Sequence, residues 1–310
     1  MSGDATLPAV VQVPWQSLIR FAGSRLVPLL TLSASAYGCS YGTADYSADA
    51  DTGSTHGLIT VERSQTENSP DAPRATAFAG FVRTPPEVDA NAVMQLAGFG
   101  LDLPTLGQCA EPNQKRDGTM PLSTLGRVEF LDAGEVTLRT ASTSAALATR
   151  AFPAVTDLIA GVVYTTRDRA AEPLPVATSY ALSTSGGVLK PFNVNAIAPG
   201  LLAGITVDST ALGELTTVAT KAPIFLSWTP GAANDVVYAE LATKNGSSAL
   251  RCTFRDDAGA GVVPASAFGG AGSGELSLHR VHSEAFASGG VDAGEVRFDF
   301  EQSANVEFSD

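Results

Sequence analysis

Charge is scarce in this chain. Asp, Glu, Lys and Arg make up 16% of its 310 residues, well below the quarter or so of ordinary soluble domains. Aromatic residues reach only 7%, which leaves little from which to build the stacked platforms that commonly hold carbohydrate. Nineteen basic residues stand against 32 acidic ones, for a formal net charge of -13. A nucleic-acid partner needs a basic footprint that neutralises phosphates; the basic residues here are scattered singly, which excludes that partner. Cysteine and histidine are limited to three each, so metal and nucleophile chemistry has few candidates. The apolar run Leu26–Ala36 is well short of the ~20 residues that span a bilayer as a helix.

What the chain has instead is Ala, Ser, Thr and 30 glycines, with 44% hydrophobic residues overall. That is enough apolar material for a real core. At about 150 residues per domain, the length suits one large domain or two ordinary ones.

The N-terminus reads as an address. Arg20 and Arg25 precede the apolar run, and small residues follow it. A basic flank, a short apolar stretch and small residues at the cut describe a secretory signal. The cysteine sharpens this: Ala36-Tyr37-Gly38-Cys39 resembles a bacterial lipobox. The resemblance implies cleavage before Cys39 and lipidation of its thiol, with residues 1–38 as signal peptide. Each buried methylene contributes about 0.8 kcal/mol, so several acyl chains hold a soluble domain firmly. The alternatives are plain secretion, with a cut near Ala36, and a short apolar helix in a cytosolic protein. Residues 39–56 are small, polar and acidic, the composition of a flexible tether. Asp45, Asp49 and Asp51 before Gly53 lack the further oxygen ligands of a calcium loop.

Once Cys39 is assigned to lipid, Cys109 and Cys252 remain. A disulfide between them can form and would staple the two halves of the chain. The reading preferred on sequence is two separate thiols, each a small buried apolar residue.

From Leu58 onward the dominant signal is period two. Leu250–Arg255 and Val296–Glu301 alternate apolar and polar residues, and Asp235–Leu241 and Leu276–Leu278 are further strand candidates. Thr229-Pro-Gly231, Asn245-Gly246, Asp256–Gly259 and Gly269–Gly274 separate them; Asn-Gly between strand-like runs is a strong hairpin signal. Earlier candidates are Leu58–Glu62, Ala75–Val82, Arg127–Phe130, Glu135–Arg139 and Leu158–Tyr164. Asn91–Leu96 and the Ala-rich Ser142–Arg150 read as short helices, since Ala is the best helix former. Glu172-Pro-Leu-Pro175 reads as a linker, because paired prolines break strand pairing. The expectation is an all-β chain with two β-sandwich-like, immunoglobulin-like domains at 57–171 and 176–310. Asp132-Ala-Gly-Glu-Val136 recurs as Asp292-Ala-Gly-Glu-Val296, and both copies read as a turn entering a strand.

The lipobox-like end, these repeated turns, and the segments Leu226–Gly231, Leu250–Asp257 and Val263–Ala265 together resemble Ala/Gly/Thr-rich envelope lipoproteins of myxobacteria and their relatives. The resemblance implies a cell-envelope β protein without an assigned activity, and it supplies no catalytic residue.

The residues themselves offer little chemistry. His56 falls in the tether. His279 and His282 are three apart on a strand and so point to opposite faces, which does not build a metal site. No nucleophile elbow, zinc-protease helix or phosphate-binding loop is present. Asp256-Asp257 reads as turn chemistry and Trp228 as core. Carboxylates are plentiful, but nothing selects a pair that converges as in glycosidases. No cofactor, metal site or catalytic residue is therefore assigned. The sequence points to a lipid-anchored envelope protein at the outer membrane or cell surface, with a structural or binding role and an envelope protein or polysaccharide as partner. The alternatives are a secreted or anchored carboxylate-based hydrolase and a calcium-stabilised adhesion module.

Overall fold

A computed structural model of the chain describes residues 53–96, 98–112, 128–155, 159–166, 174–265 and 267–309. The signal segment, Cys39 and the triad Asp45, Asp49 and Asp51 lie outside these residues. Among the described residues the chain is all-β, with one short α-helix.

The chain opens with β1 (Ser54–Thr66) and β2 (Arg74–Thr84), followed by α1 (Ala90–Leu96). Then come β3 (Cys109–Ala110), β4 (Val128–Phe130), β5 (Val136–Arg139), β6 (Ser144–Val155) and β7 (Ile159–Thr165). β8 (Ser179–Thr184) and β9 (Phe192–Ile197) form a hairpin. Shorter strands come next: β10 (Thr206–Val207), β11 (Thr210–Ala211), β12 (Thr217–Ala219) and β13 (Ile224–Ser227). The last are β14 (Val236–Thr243), β15 (Ala249–Arg255), β16 (Ala260–Val263), β17 (Gly272–Ser288) and β18 (Val291–Ser309).

One long sheet runs in the order β3-β15-β14-β17-β18-β1-β2-β4-β7-β6-β5-β8-β9, with β12 added beside β18; a second, four-stranded sheet has the order β11-β10-β13-β16. At the centre of the large sheet β1 lies parallel to β18 and antiparallel to β2.

Alternation along β18 places Val296, Phe298, Phe300, Ala304, Val306 and Phe308 inward. The first three join a core with Ile59, Phe81, Leu138, Tyr180 and Phe192, where β5, β8 and β9 fold over β1, β2 and β18. The last three join a second core, in which the four-stranded sheet packs through Val207, Ile224, Leu226 and Val263 onto β14, β15, β17 and β18. Each is sandwich-like, and β18 serves both. Burying a Phe or Leu side chain contributes about 1.5–3 kcal/mol, so β18 alone anchors much of the molecule. Residues on both sides of 172–175 feed the first core, Leu138 and Tyr180 among them, and so does Leu174 within it. A third, smaller cluster lies on the opposite face of β1 and β2, where Val93 and Met94 of α1 cover Leu58, Phe78 and Phe130.

Three expectations are corrected. Ser142–Arg150 is not helical: β6 pairs with both β5 and β7, and Leu147 is buried in the first core, so packing overrides the propensity of Ala. His56 is not in a tether but within β1, paired with Val82 and Ala293. The two Asp-Ala-Gly-Glu-Val copies do not share a conformation. In the first, Gly134 has φ +76° and Asp132 Oδ1 accepts from its N–H at 2.7 Å, closing a turn. The second is extended inside β18, where a Cβ on Gly294 would lie 2.3 Å from the Phe286 ring.

A buried ion pair ties the loops at the junction of the two large cores. Arg280 Nε lies 2.7 Å from Asp256 Oδ2 and its Nη2 donates to Asp256 Oδ1 at 2.9 Å. The same guanidinium donates to the carbonyls of Gly200, Leu201 and Thr229, and the Trp228 indole donates to Asp256.

Candidate functional site

The outward members of the alternating strands meet on one face. Across the central strands, register aligns Tyr238 of β14, His279 of β17, Glu301 of β18, Ser64 of β1 and Arg74 of β2. The neighbouring row is Val236, Val281, Asp299, Glu62 and Thr76. Directly opposed side chains of one row stand about 5 Å apart at Cβ, so these residues form a continuous patch.

Its centre is a hydrogen-bonded cluster. The Tyr238 hydroxyl donates to Asp299 Oδ2 at 2.8 Å and lies 2.7 Å from His279 Nδ1. That nitrogen is 2.8 Å from Asp299 Oδ1, and Nε2 is 3.0 Å from Ser277 Oγ. A proton on Nδ1 satisfies Asp299. The Tyr238 and His279 rings stack at 4.1 Å, and the Arg251 guanidinium sits 5.1 Å over the other side of the tyrosine. Arg251 is held by Glu240, with Nε to Oε2 at 2.9 Å.

Burial and crowding shape the electrostatics. Desolvation works against the His279 imidazolium, but Asp299, Glu301 and Glu240 together outweigh it and raise its pKa above the ordinary value. Glu301 is raised first by burial, then by Glu275, Asp299 and Glu240, with the His279 charge opposing. Glu62 is raised by burial and by Asp299, against a hydrogen bond from Thr76 and the charges of His279 and Arg297. Burial and Asp299 push the Tyr238 hydroxyl well up, so it remains a donor.

A strap of residues 98–110 crosses this face. Phe99 stacks on Phe78 at one end, and the Asp102 carbonyl accepts from Arg251 Nη1 at 2.9 Å. At the other end Gly107 N–H donates to the Thr253 carbonyl at 2.7 Å, Thr253 N–H donates to Gln108, and Cys109 is disulfide-bonded to Cys252 across the β3–β15 pair. The expectation of two separate thiols is thereby corrected. Cys252 alternates inward as expected, but pairing of β3 on the edge of β15 sets Cys109 opposite it.

Cavities flank the strap. One, of about 440 Å³, is lined by Glu62, Arg74, Tyr238, His279, Asp299 and Glu301. A second, of about 990 Å³, lies between α1 and the sheet and includes His56, Leu58, Met94, Val236, Val281 and Arg297. Leu101 of the strap lines both. A third, of about 280 Å³, adjoins Ser277, Glu275 and Glu240.

Ser277, His279 and Asp299 have the connectivity of a hydroxyl–imidazole–carboxylate relay. Acyl transfer, however, develops an oxyanion that must be met by positive charge or donors. Here Glu240, Glu275 and Glu301 line the same cavity as the hydroxyl and Arg251 is paired with Glu240, so carboxylates outnumber cations there.

The other histidine belongs elsewhere. His282 Nδ1 lies 2.6 Å from Asp235 Oδ1 and Nε2 3.3 Å from Glu284, and its ring faces Phe298 on the first-core side. The two histidines thus occupy opposite faces. Of the acidic pair in the turn, Asp256 is buried against Arg280 and Asp257 pairs with Arg255 at the surface. Trp228 is buried against Phe254. Among the described residues, no group of three or more His, Cys, Asp or Glu is arranged to hold a metal ion.

Sequence reasoning missed Glu62, Tyr238, Ser277, Asp299 and Glu301 as a group. The signal was present in the polar members of the strand alternations, but selecting among them requires knowing which strands are neighbours.

No family model matches the sequence, and no curated protein does. Among solved structures the chain is similar to the chicken CNTN1 FN1–FN3 domains, at 9% identity and a TM-score of 0.18 over 73% of this chain. It spans 62% of that structure's length. A likeness at that score carries no information about activity or ligand.

Proposed function

We propose that this chain is an exported, non-enzymatic binding module of the bacterial cell envelope, anchored by lipid on Cys39 at the outer membrane or cell surface. Its ligand site is the strap-covered cleft on the outer face of the central sheet, and its partner is an envelope protein or polysaccharide. The observation that supports this most is the Cys109–Cys252 bond. Disulfides persist in oxidising compartments and are rare in the cytosol, and this one fastens the strap over the cleft. The signal-like N-terminus agrees with it.

The test is intact-mass measurement of the chain recovered from its native envelope, beside Cys39→Ala. The expected wild-type species begins at Cys39, carries added acyl mass and has no free thiol. Recovery of a chain that retains Met1, with Cys109 and Cys252 reduced, overturns the reading.

One observation favours a second reading. The relay Ser277–His279–Asp299 beside the carboxylates Glu62 and Glu301 is the arrangement from which a hydrolase would be built. A fluorophosphonate probe that labels the wild type and not Ser277→Ala would establish it over the binding role.

A further inference from the structure

We propose that the two cavities beside the strap form one amphipathic groove, which takes a ligand with an aliphatic body and a single amine or guanidinium head. This deepens the reading of the face as a binding site and rests on it.

The continuity comes from register. Tyr238, His279 and Asp299 border the smaller cavity. Val236, Val281 and Arg297, each the adjacent outward residue of the same strands, border the larger. The two cavities therefore run end to end along β14, β17 and β18, with Leu101 at their junction.

The two ends differ in chemistry. The larger cavity carries an apolar strip within a mixed lining: Leu58, Val236 and Val281 from the sheet, Val88 and Met94 from the α1 side, and Leu101 from the strap, with Asp89, Asn91, Gln95 and Asp102 around it. At about 990 Å³ it falls at the upper end of small-molecule sites. Of its charged members, Arg297 donates to both oxygens of Glu295 at 2.8 Å, and Asp89 Oδ1 accepts from the Asn91 N–H at 2.9 Å. The smaller cavity presents Glu62, Asp299 and Glu301. Of its arginines, Arg63 donates to the Leu174 carbonyl, and Arg74 is exposed at the rim.

Charge complementarity selects the head. Asp299 is matched by Tyr238 and His279. Glu301 has Asp299, Glu240 and Glu275 against it and His279 in its favour. Glu62 receives a 3.2 Å hydrogen bond from the Thr76 hydroxyl and stands beside Asp299. A cationic head between Glu62 and Glu301 compensates both, whereas an anionic head adds to the repulsion. An aliphatic body then lies along the apolar strip of Val236, Val281 and Leu101.

The test uses the purified full chain and three probes, n-octylamine, octanoate and ethylamine, with affinities read by titration calorimetry. Octylamine is expected to bind at least about tenfold more tightly than octanoate. In the Glu62→Gln, Glu301→Gln double variant the two should converge to within about twofold. Leu101→Ser should weaken octylamine and leave ethylamine unchanged. Thermal melts of each variant confirm that it is folded. Equal binding of octylamine and octanoate, or an unchanged preference in the double variant, overturns the ligand class while leaving the face a binding site. Failure of both amphiphiles to bind overturns the groove and leaves the binding reading to the intact-mass and thiol measurement.

Discussion

Glu62 and Asp299 are register partners across the parallel β1–β18 pair, so two carboxylates from opposite ends of the folded region stand side by side on one sheet face. The sheet accepts this because Asp299 is answered by Tyr238 and His279, while Glu62 takes up protons more readily than a free glutamate.

The face therefore makes stability depend on pH. Glu62, Glu301 and His279 all bind a proton more tightly folded than unfolded, and so does His282, where Asp235 and Glu284 outweigh desolvation. Each such group supports the fold fully below its unfolded pKa, and its support is lost as pH rises through the folded value. For the glutamates that loss begins above 4.5, and for the histidines above 6.5. Glu295, lowered against desolvation by Arg297 and Ser283, runs the other way but only as the solution becomes acidic. The melting temperature is expected to be higher near about pH 5.5 than near about pH 8. Glu301→Gln should raise it at the alkaline end, with the gain vanishing toward about pH 4. A gain independent of pH would refute this assignment.

The buried pair gives a larger effect. Asp256→Ala leaves the Arg280 guanidinium without its partner and is expected to cost about 3–5 kcal/mol in urea unfolding. Asp256→Leu with Arg280→Met removes both charges, and should cost less than the two single changes added together. Simple additivity would mean that the two side chains act independently.

The two glycines of the repeated pentapeptide separate backbone from packing. Gly134→Ala demands a positive φ and meets the Gly186 carbonyl oxygen at 2.3 Å, so a loss of about 1–3 kcal/mol is expected. Gly294→Ala meets only the Phe286 ring among its nearest atoms, and overpacking there costs about 1–3 kcal/mol. Trimming Phe286 to Leu should relieve Gly294→Ala and do nothing for Gly134→Ala. Equal relief of both would show that the two sites are coupled.

Removing the disulfide tests the strap. It closes a separation of 143 residues, and Cys252→Ala is expected to cost about 2–4 kcal/mol. Amide exchange should quicken first at Gly107 and Gln108, which are bonded to or near β15. Cys109→Ala added to Cys252→Ala should cost little more. Unchanged exchange in the strap would show that its backbone hydrogen bonds suffice to hold it.

Much of the scaffold was legible in residue patterns. The alternation in Val296–Glu301 identifies β18, its core face and its wet face together. Read alone, however, Arg297, Asp299 and Glu301 are only a solvated edge of a strand. They become a candidate site because β1 lies beside β18 and β17 brings His279 next to Glu301, pairings that no local pattern encodes. Ser142–Arg150 shows the converse error: its local preference for helix is real, but Leu147 gains more by facing Val136 across β5 and β6. Cys109 failed for the same reason as Asp299, since its partner strand is distant in sequence.

The parallel pairing of β1 with β18 has a consequence for biogenesis. Eleven register pairs join the earliest described strand to the latest, so the middle of the large sheet cannot close until the final strand has emerged from the ribosome. Until then β1 and β2 must wait with an unpaired edge. Non-local pairings of this kind slow folding and expose sticky intermediates. A chain built this way gains from being kept unfolded during synthesis and released whole, the order of events that transport across a membrane in extended form would impose.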